Sequence, residues 1–250
     1  MKQEATKKII LEKALELFSG RGYDAVSVGD IAAATGIKAP SLYNHFKSKQ
    51  AIFEAIVEET SSRYEKNTDK INIHAQNAPQ DFPHFEQIAE AALFEKVRQV
   101  FEYSLHDTVV SRFRKMLTIE QFRSPELAAL FSGRYVDRMI DYHARIFEDL
   151  IAAGELAPEN PKTLSLLYVA PIITLLGVCD RQPEREKECL ARLENHVRLF
   201  FHTYNLKARA AQTPNAPDTQ PVPAPAGTNM KTQNGQPCPR VSEKKGSENK

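Results

Sequence analysis

Apolar side chains recur every three or four positions along most of the first 206 residues, and no segment shows the alternation typical of a β-strand. Ile10, Ala14, Leu17 and Phe18 share one face of a first helix, which is predicted to end near residues 20–22. The same periodicity predicts further helices at residues 28–35, 39–46, 49–71, 84–105, 108–122, 125–152, 161–180 and 184–205. The pattern therefore predicts an all-α protein.

Proline content divides the chain. Two prolines in the stretch 77–83 indicate an internal boundary between helices. The last 44 residues hold seven of the fifteen prolines and few large apolar side chains, so they cannot bury enough surface to offset their ordering entropy. We predict a compact N-terminal unit at residues 1–50, a helical body at 51–206 and a disordered Pro-rich tail at 207–250.

Charge is distributed unevenly over these parts. Residues 1–50 carry eight Lys/Arg and five Asp/Glu, whereas residues 51–206 carry eighteen and twenty-four. A basic N-terminal unit on an acidic body indicates that only the first unit meets a polyanion such as DNA. Ordinary variation of surface charge explains the same numbers equally well.

Residues 27–46 have the layout of a helix-turn-helix. Ser27 is placed to cap the first of the two helices, with Asp30 completing a capping box. The small Ala32 allows two helices to cross closely, and Gly36 suits the tight turn between them. Small residues at the start of the second helix could approach base edges, and polar or aromatic residues beside them could bind phosphates. The residues predicted on its outer side are Lys38, Ala39, Ser41, Tyr43, Asn44 and His45, with Pro40 in the first turn.

The same residues resemble the tetracycline-repressor (TetR) family of bacterial transcriptional regulators. The similarity lies in Val28-x-Asp30-Ile31-Ala32-x-x-x-x-Gly36-Ile37 and the following Ser41-Leu42-Tyr43-Asn44-His45-Phe46-Lys47-Ser48-Lys49, and extends over about residues 8–53. The resemblance implies that phosphates of double-stranded DNA are bound by Ser27, Tyr43, His45 and Lys49. It implies that bases or nearby backbone are faced by Lys38, Ala39, Ser41 and Asn44, and we include Pro40 in this surface.

The last predicted helix carries an apolar seam with spacings of 3, 4, 3 and 4, formed by Leu190, Leu193, Val197, Phe200 and Tyr204. Such a seam could pair with a second copy of the chain, or it could belong to the core of one subunit. The resemblance implies the first reading, because the last two helices form the dimer in that family. A homodimer also suits tight binding to a palindromic operator.

The family resemblance further implies a pocket for a small-molecule effector in the body. Polar and aromatic side chains that stand among apolar neighbours there are Tyr103, Arg112, Met116, Glu120, Tyr135, His143 and Tyr168. Any one of them could instead be an ordinary core or surface residue. An effector that binds one arrangement of the two DNA-binding units better than another would shift DNA affinity.

Other functional classes find little support in the sequence. There is no Gly-rich phosphate loop, G-x-S-x-G, C-x-x-C or H-E-x-x-H motif, so no enzyme activity, cofactor or metal is predicted. Three scattered cysteines favour a reducing compartment. The start of the chain lacks the apolar segment of a signal peptide, and the apolar run 166–178 is too short to span a bilayer. We therefore expect a cytoplasmic protein that does not enter membranes.

Together these observations predict a homodimeric repressor that a small-molecule effector releases from a palindromic operator. An enzyme or small-molecule carrier with a helix-turn-helix docking module is the alternative from another class. An activator or an architectural DNA-binding protein is a third possibility.

Overall fold

The fold is all-helical, as the periodicity predicts. A computed structural model describes residues 2–74 and 77–212, and within these ranges it contains no β-strand beyond an isolated bridge between Leu156 and Asn205. Its α-helices, in chain order, are α1 Lys2–Arg21, α2 Val28–Thr35, α3 Ala39–Tyr43, α4 Lys49–Thr68, α5 Ala78–Phe85, α6 Glu90–His106, α7 Thr108–Glu120, α8 Pro125–Ser132, α9 Arg138–Ala152, α10 Pro161–Arg181, α11 Glu186–Tyr204 and α12 Leu206–Gln212.

Two predicted boundaries differ from the structure because of proline and turn geometry. The stretch read as a boundary, residues 77–83, begins α5 instead, since Pro79 lies in its first turn, where no helical N–H bond is lost. The helix predicted at 125–152 is interrupted by a π-helical segment, Gly133–Asp137, that joins α8 to α9. Wide turns of this kind often mark functional sites.

Two other predicted boundaries, the end of the third helix and the start of the tail, also differ from the structure. The third helix stops at Tyr43 rather than at residue 46, because residues 44–46 continue as a turn. At the other end of the chain, α12 covers residues 207–212, which were predicted to belong to the tail. The remainder of the predicted disordered tail, residues 213–250, lies outside the described residues.

The helix-turn-helix is fixed by local interactions of its own sequence. The Ser27 hydroxyl accepts a hydrogen bond from the Asp30 backbone N–H, and the Asp30 carboxylate accepts one from the Ser27 N–H, so the predicted capping box is confirmed. Gly36 ends α2 with a φ of 69°, a left-handed conformation that glycine adopts without strain. The Ile37 N–H bonds back to the Ala32 carbonyl at 3.0 Å, which closes the turn toward α3.

The hydrophobic core of the N-terminal helices continues past residue 50 into the body. Buried side chains from α1 to α4 pack against three from α7, so the N-terminal unit and the body share one core. This core explains Met116, which is buried within it. Its largest enclosed members are Ile10, Phe18, Ile31, Leu42, Ile52, Ile56, Phe113, Met116 and Leu117.

The body is organised around α9, α10 and α11. Tyr142 and Phe147 of α9 pack with Tyr168 of α10 and Phe200 of α11, and several of their rings lie 4.9–5.6 Å apart. A second cluster joins α6 to the same two C-terminal helices through Phe101, Leu175, Cys179, Cys189, Leu193 and Val197. The C-terminal helices therefore turn most of their apolar side chains inward.

Among the described residues, α10 alone has the length and apolar composition of a membrane span. Leu164, Tyr168 and Val169 are buried against α9 and α11, and Leu175 and Cys179 are buried against α6 and α11. Packing within the subunit thus accounts for much of the apolar character of α10.

Candidate nucleic-acid interface and ligand cavity

The outer face of α3 is polar and open. Leu42 is fully buried and Phe46 nearly so, whereas Tyr43 between them is 47% exposed. This orientation follows from helical periodicity, because two inward anchors turn the intervening side chains outward. The predicted DNA-contacting residues that lie exposed on or beside this helix are Lys38, Pro40, Ser41, Tyr43 and Asn44.

Four other predicted contact residues have partners or packing of their own. Ser27 is exposed, but its hydroxyl is engaged in the capping box. Lys49 is half-buried: its Nζ donates to the Tyr23 carbonyl at 3.0 Å and lies 4.3 Å from the centre of the Tyr23 ring. Ala39 is half-buried against the core. His45 is also half-buried, and its Nδ1 is enclosed without a hydrogen-bond partner.

One exposed cation beside this surface was missed by sequence reasoning. Lys47 lies in the turn between α3 and α4, and its side chain is exposed. Because Lys49 is already held by Tyr23, Lys47 is the freer of these two ammonium groups to meet a phosphate. Its position next to the buried Phe46 is the sequence feature that could have indicated this.

The apolar seam of α11 belongs to the core of the subunit, the alternative that the sequence left open. Leu193 and Val197 are fully buried in the cluster with α6 and α10, and Phe200 stacks on Phe147 of α9. Leu190 and Tyr204 are half-buried against the same clusters. A heptad spacing identifies an apolar face but not what covers it, and here other helices of the same chain cover it.

Three leucines of α10 and α11 point away from that core. Leu166 and Leu167 on α10 are 50% and 49% exposed, and Leu199 on α11 is 67% exposed. Sequence reasoning missed these three because it followed the longest regular seam rather than the face left over. They are the apolar groups that the C-terminal helices present outside the subunit.

A cavity of about 200 Å³ lies in the body between α4, α5, α6, α7, α9, α10 and α11. One face of the chain from the π-helical segment through α9 forms its longest wall, with Tyr135, Met139, His143, Phe147 and Leu150 at spacings of three or four residues. The surface of the cavity is mainly apolar. Such a cavity, with a few polar groups in its wall, is the usual form of a small-molecule site.

The polar groups of the wall gather where the π-helical segment meets α4. Arg134 donates from Nη1 to the Ser61 Oγ at 2.7 Å, and its guanidinium lies over the rings of Phe113 and Tyr135. Tyr135 Oη is buried without a hydrogen-bond partner. Burial raises the pKa of Tyr64, on the facing side of α4, to about 12, so this phenol stays protonated at neutral pH.

Further along the wall, His143 is an uncharged aromatic group. Burial lowers its pKa to about 4, although the hydrogen bond to the Met139 carbonyl opposes that shift. The Nδ1 lies 2.8 Å from that carbonyl, which can only accept, so Nδ1 carries the proton and Nε2 is the free acceptor. Its ring packs between Tyr142 and Tyr168 at centroid distances of 5.1 and 5.2 Å.

The structure places only part of the predicted pocket at this cavity. Tyr135, His143 and Tyr168 line it. Tyr103 instead donates to the Arg63 carbonyl at 3.0 Å, and Met116 is in the N-terminal core.

The other two predicted pocket residues face α1. Glu120 is fully buried beside Gly22, with Arg123 as its ion-pair partner at 3.2 Å, and Arg112 lies within electrostatic reach of Glu16. Periodicity along one helix could have found more of the wall, because Tyr142, Ile146 and Phe147 share a face with His143. Contributions such as Ser61 and Arg134 depend on packing between distant helices, which spacing does not reveal.

No group of three or more His, Cys, Asp or Glu side chains within residues 2–74 and 77–212 is arranged to hold a metal ion.

Comparison with known proteins agrees with the geometry of the N-terminal helices. Residues 10–56 match the family model of "Bacterial regulatory proteins, tetR family". The HTH-type transcriptional repressor ComR of Escherichia coli (strain K12) is 43% identical over 54 residues, which are 22% of this chain and 26% of ComR. The chain thus matches about a quarter of the length of this curated relative, and the match is confined to the DNA-binding end.

Solved structures extend the likeness in fold to most of the chain. A putative TetR-family regulator from Mesorhizobium loti MAFF303099 superposes with a TM-score of 0.59 at 19% identity, covering 82% of this chain and all of that one. SmeT in complex with triclosan superposes with a TM-score of 0.58 at 20% identity, covering 80% and 92%. SmeT is the repressor of the Stenotrophomonas maltophilia multidrug efflux pump SmeDEF.

The exposed recognition helix on a shared helical core defines a helix-turn-helix DNA-binding protein. Residues 10–56 match the DNA-binding domain of the TetR family, and the chain shares its fold with solved structures of TetR-family regulators.

Proposed function

We propose that the protein is a homodimeric repressor that binds a palindromic operator and leaves it when a small molecule enters the body. The observation that carries the proposal is the outward face of α3, where polar side chains stand over two buried anchors, Leu42 and Phe46. A short helix presented in this way fits the major groove, with its first residues toward the bases. Tyr43 and Lys47 beside it suit the phosphates.

The exposed leucines of α10 and α11 support the dimer. Leu166, Leu167 and Leu199 form apolar surface on the last two helices, which a second copy of the chain would cover. A twofold dimer would present two copies of α3 to two half-sites about one helical turn apart, roughly 34–36 Å. The interface we propose therefore uses these leucines rather than the buried seam of α11.

Control by a ligand is supported by the position of α4. Its first half packs in the N-terminal core through Ile52 and Ile56, and its second half lines the cavity through Ser61 and Tyr64. A ligand that shifts the cavity wall would therefore act on the helix that carries the DNA-binding unit. The triclosan complex of the structurally similar SmeT is consistent with a ligand site in a protein of this fold. A protein with this role works in the cytoplasm, where the DNA is.

The test is selection of genomic fragments by the purified full-length protein, followed by footprinting of the retained DNA. We expect protection of two symmetric half-sites, with affinity that falls steeply as salt rises. Tyr43→Phe removes one phosphate donor and should weaken binding to all sequences about five- to tenfold. Tyr204→Phe removes a tyrosine hydroxyl on α11 and should leave DNA affinity unchanged.

Two outcomes would contradict this function. Retention of random and genomic DNA alike at moderate salt would exclude an operator-specific regulator. Turnover of a substrate, or tight ligand binding that leaves DNA affinity unchanged, would favour the enzyme or carrier with a docking module. Operators placed upstream of promoters, with increased transcription, would indicate an activator instead of a repressor.

A further inference from the structure

The polar end of the cavity contains a donor that the protein itself leaves unused. Tyr135 Oη is buried beside the Arg134 side chain, which can only donate, so its O–H proton has no acceptor, and an unsatisfied buried donor is costly and uncommon. The Tyr135 side chain lines the cavity, so an acceptor inside the cavity could bind this hydroxyl. A group of this kind points to a ligand with an oxygen or nitrogen acceptor at this end.

Charge at the same end favours an anion. Arg114, another cation of the wall, is fully engaged by Asp180 through two contacts of 2.7 Å and by the Ser104 carbonyl. Arg134 is different: among the described residues it forms no ion pair with a carboxylate, and its neighbours are the neutral hydroxyls of Ser61, to which it donates, and of Tyr135. Arg138, one helical turn further on, also lines the cavity.

Two carboxylates stand in the wall, Glu155 far from Arg134 and Glu65 one helical turn after Ser61 on α4. Glu155 lies beyond the other end of α9, where it accepts from the Gln87 N–H at 2.7 Å and pairs with Lys207 at 3.2 Å. Glu65 is on α4, one position after Tyr64. Four cations, Lys96 and three arginines, therefore stand in the wall against two carboxylates.

The rest of the wall is suited to an apolar body. His143, Phe147, Tyr168 and Phe200 present aromatic surface along the cavity, and His143 is neutral. An apolar cavity of about 150 Å³ is known to take up benzene, so one of this size accommodates a molecule of one or two rings or a medium alkyl chain. Aromatic rings stack favourably with such a body.

We propose that the cavity binds an apolar organic acid, with its anionic oxygen at Arg134 and Tyr135 and its apolar body between α9 and α10. This inference rests on the proposed function only for its regulatory meaning, because binding of the acid in the cavity does not require DNA. The acid would also compete with Ser61 for Arg134. Occupancy would thus loosen the hydrogen bond that ties the π-helical segment to α4.

The experiment is calorimetric titration of the full-length protein, free of DNA, with two matched pairs of probes. Each pair differs only in its head group: 2-naphthoate against 2-naphthalenemethanol, and decanoate against 1-decanol. We expect each acid to bind at least tenfold more tightly than its neutral partner, because a charge-assisted hydrogen bond is replaced by a neutral one. The tighter of the two acids then identifies the body as aromatic or aliphatic.

Variants separate recognition from a structural role. Arg134→Gln should abolish the preference for the acid, whereas Arg145→Gln, which alters an exposed arginine of α9, should preserve it. Tyr135→Phe should weaken binding of the acid three- to tenfold without lowering the melting temperature of the free protein, since the hydroxyl has no partner there. A lower melting temperature with unchanged affinity would instead mark Tyr135 as structural and would contradict the proposal.

Equal affinity for acids and alcohols, no binding of any of the four probes, or an undiminished preference in Arg134→Gln would overturn the inference. Its failure is distinguishable from that of the proposed function. Binding of the acid that leaves operator affinity unchanged would retain the ligand class and exclude ligand control. Operator binding by a protein that does not prefer acids would retain the proposed DNA-binding function and exclude the ligand class.

Discussion

The DNA-binding unit and the ligand cavity differ in how their residues are brought together. Residues 27–49 form the proposed DNA surface from one continuous stretch, fixed by a capping box, a left-handed glycine and two inward anchors. The cavity collects its wall from seven helices, with Ser61 and Arg134 separated by 73 positions in the chain. A site made of neighbours in sequence is therefore constrained locally, whereas a site made of distant helices depends on how the whole body packs.

The largest effect is expected from a variant that separates the two subunits of the proposed dimer. Leu199→Glu places a charge on the exposed apolar face of α11, and we expect it to yield monomers by analytical ultracentrifugation. Operator affinity should then fall at least about 100-fold, because two half-sites no longer bind as one unit. Phe122→Glu, which alters an 86% exposed aromatic outside α10 and α11, is the matched control and should leave both properties unchanged. A wild-type monomer that binds its operator tightly would contradict the dimer.

A second prediction tests the contact between the α1–α2 turn and α7 of the body. Gly22 has a φ of 86°, and an added Cβ would lie 2.8 Å from the Glu120 carboxylate of α7, which is buried and cannot swing away freely. Gly22→Ala should lower the free energy of unfolding by about 2–3 kcal/mol in urea titrations. Gly36→Ala, at a φ of 69° with open space around it, should cost about 1 kcal/mol. Equal losses in the two variants would show that α7 does not press on the α1–α2 turn.

The smallest expected effect tests the burial of His143 in the cavity wall. The pKa of His143 is lowered from 6.5 to about 4 in the folded chain, so the unfolded chain binds this proton more readily. Stability from this group is present above pH 6.5 and is lost as pH falls toward 4. We expect a loss of about 1–2 kcal/mol, less than the full shift gives, because the ring is half-buried rather than enclosed. Chemical denaturation at pH 7 and pH 4.5 measures it.

The matched variant for that measurement is His143→Gln, which has no proton to gain in this range. The difference in stability between the two pH values should shrink by the same amount in the variant. An unchanged difference would assign the acid sensitivity to other groups.

The sequence predicts the local geometry of the helix-turn-helix better than the packing of the body, for a physical reason. Ser27, Asp30 and Gly36 interact with residues three to five positions away, so their spacing alone specifies the capping box and the turn. Leu193 and Val197 show the opposite case: periodicity identifies their face as apolar, but α6 and α10 of the same subunit cover it. The sequence likewise singles out Met116 and Glu120 as pocket candidates, but they pack against α1 and the turn after it rather than at the cavity.

The length of α4 has a mechanical consequence. The twenty residues of α4 span about 30 Å, with Ile52 packed in the N-terminal core and Tyr64 in the wall of the cavity. A tilt of only about 5° around the Tyr64 end displaces the opposite end by roughly 2–3 Å, since a rigid rod magnifies rotation in proportion to its length. In the proposed dimer, two copies of α4 tilting apart would alter the separation of the two copies of α3 by twice that amount. A duplex tolerates little error in that separation, so under the proposed function a molecule of one or two rings in the cavity would suffice to release the protein from its operator.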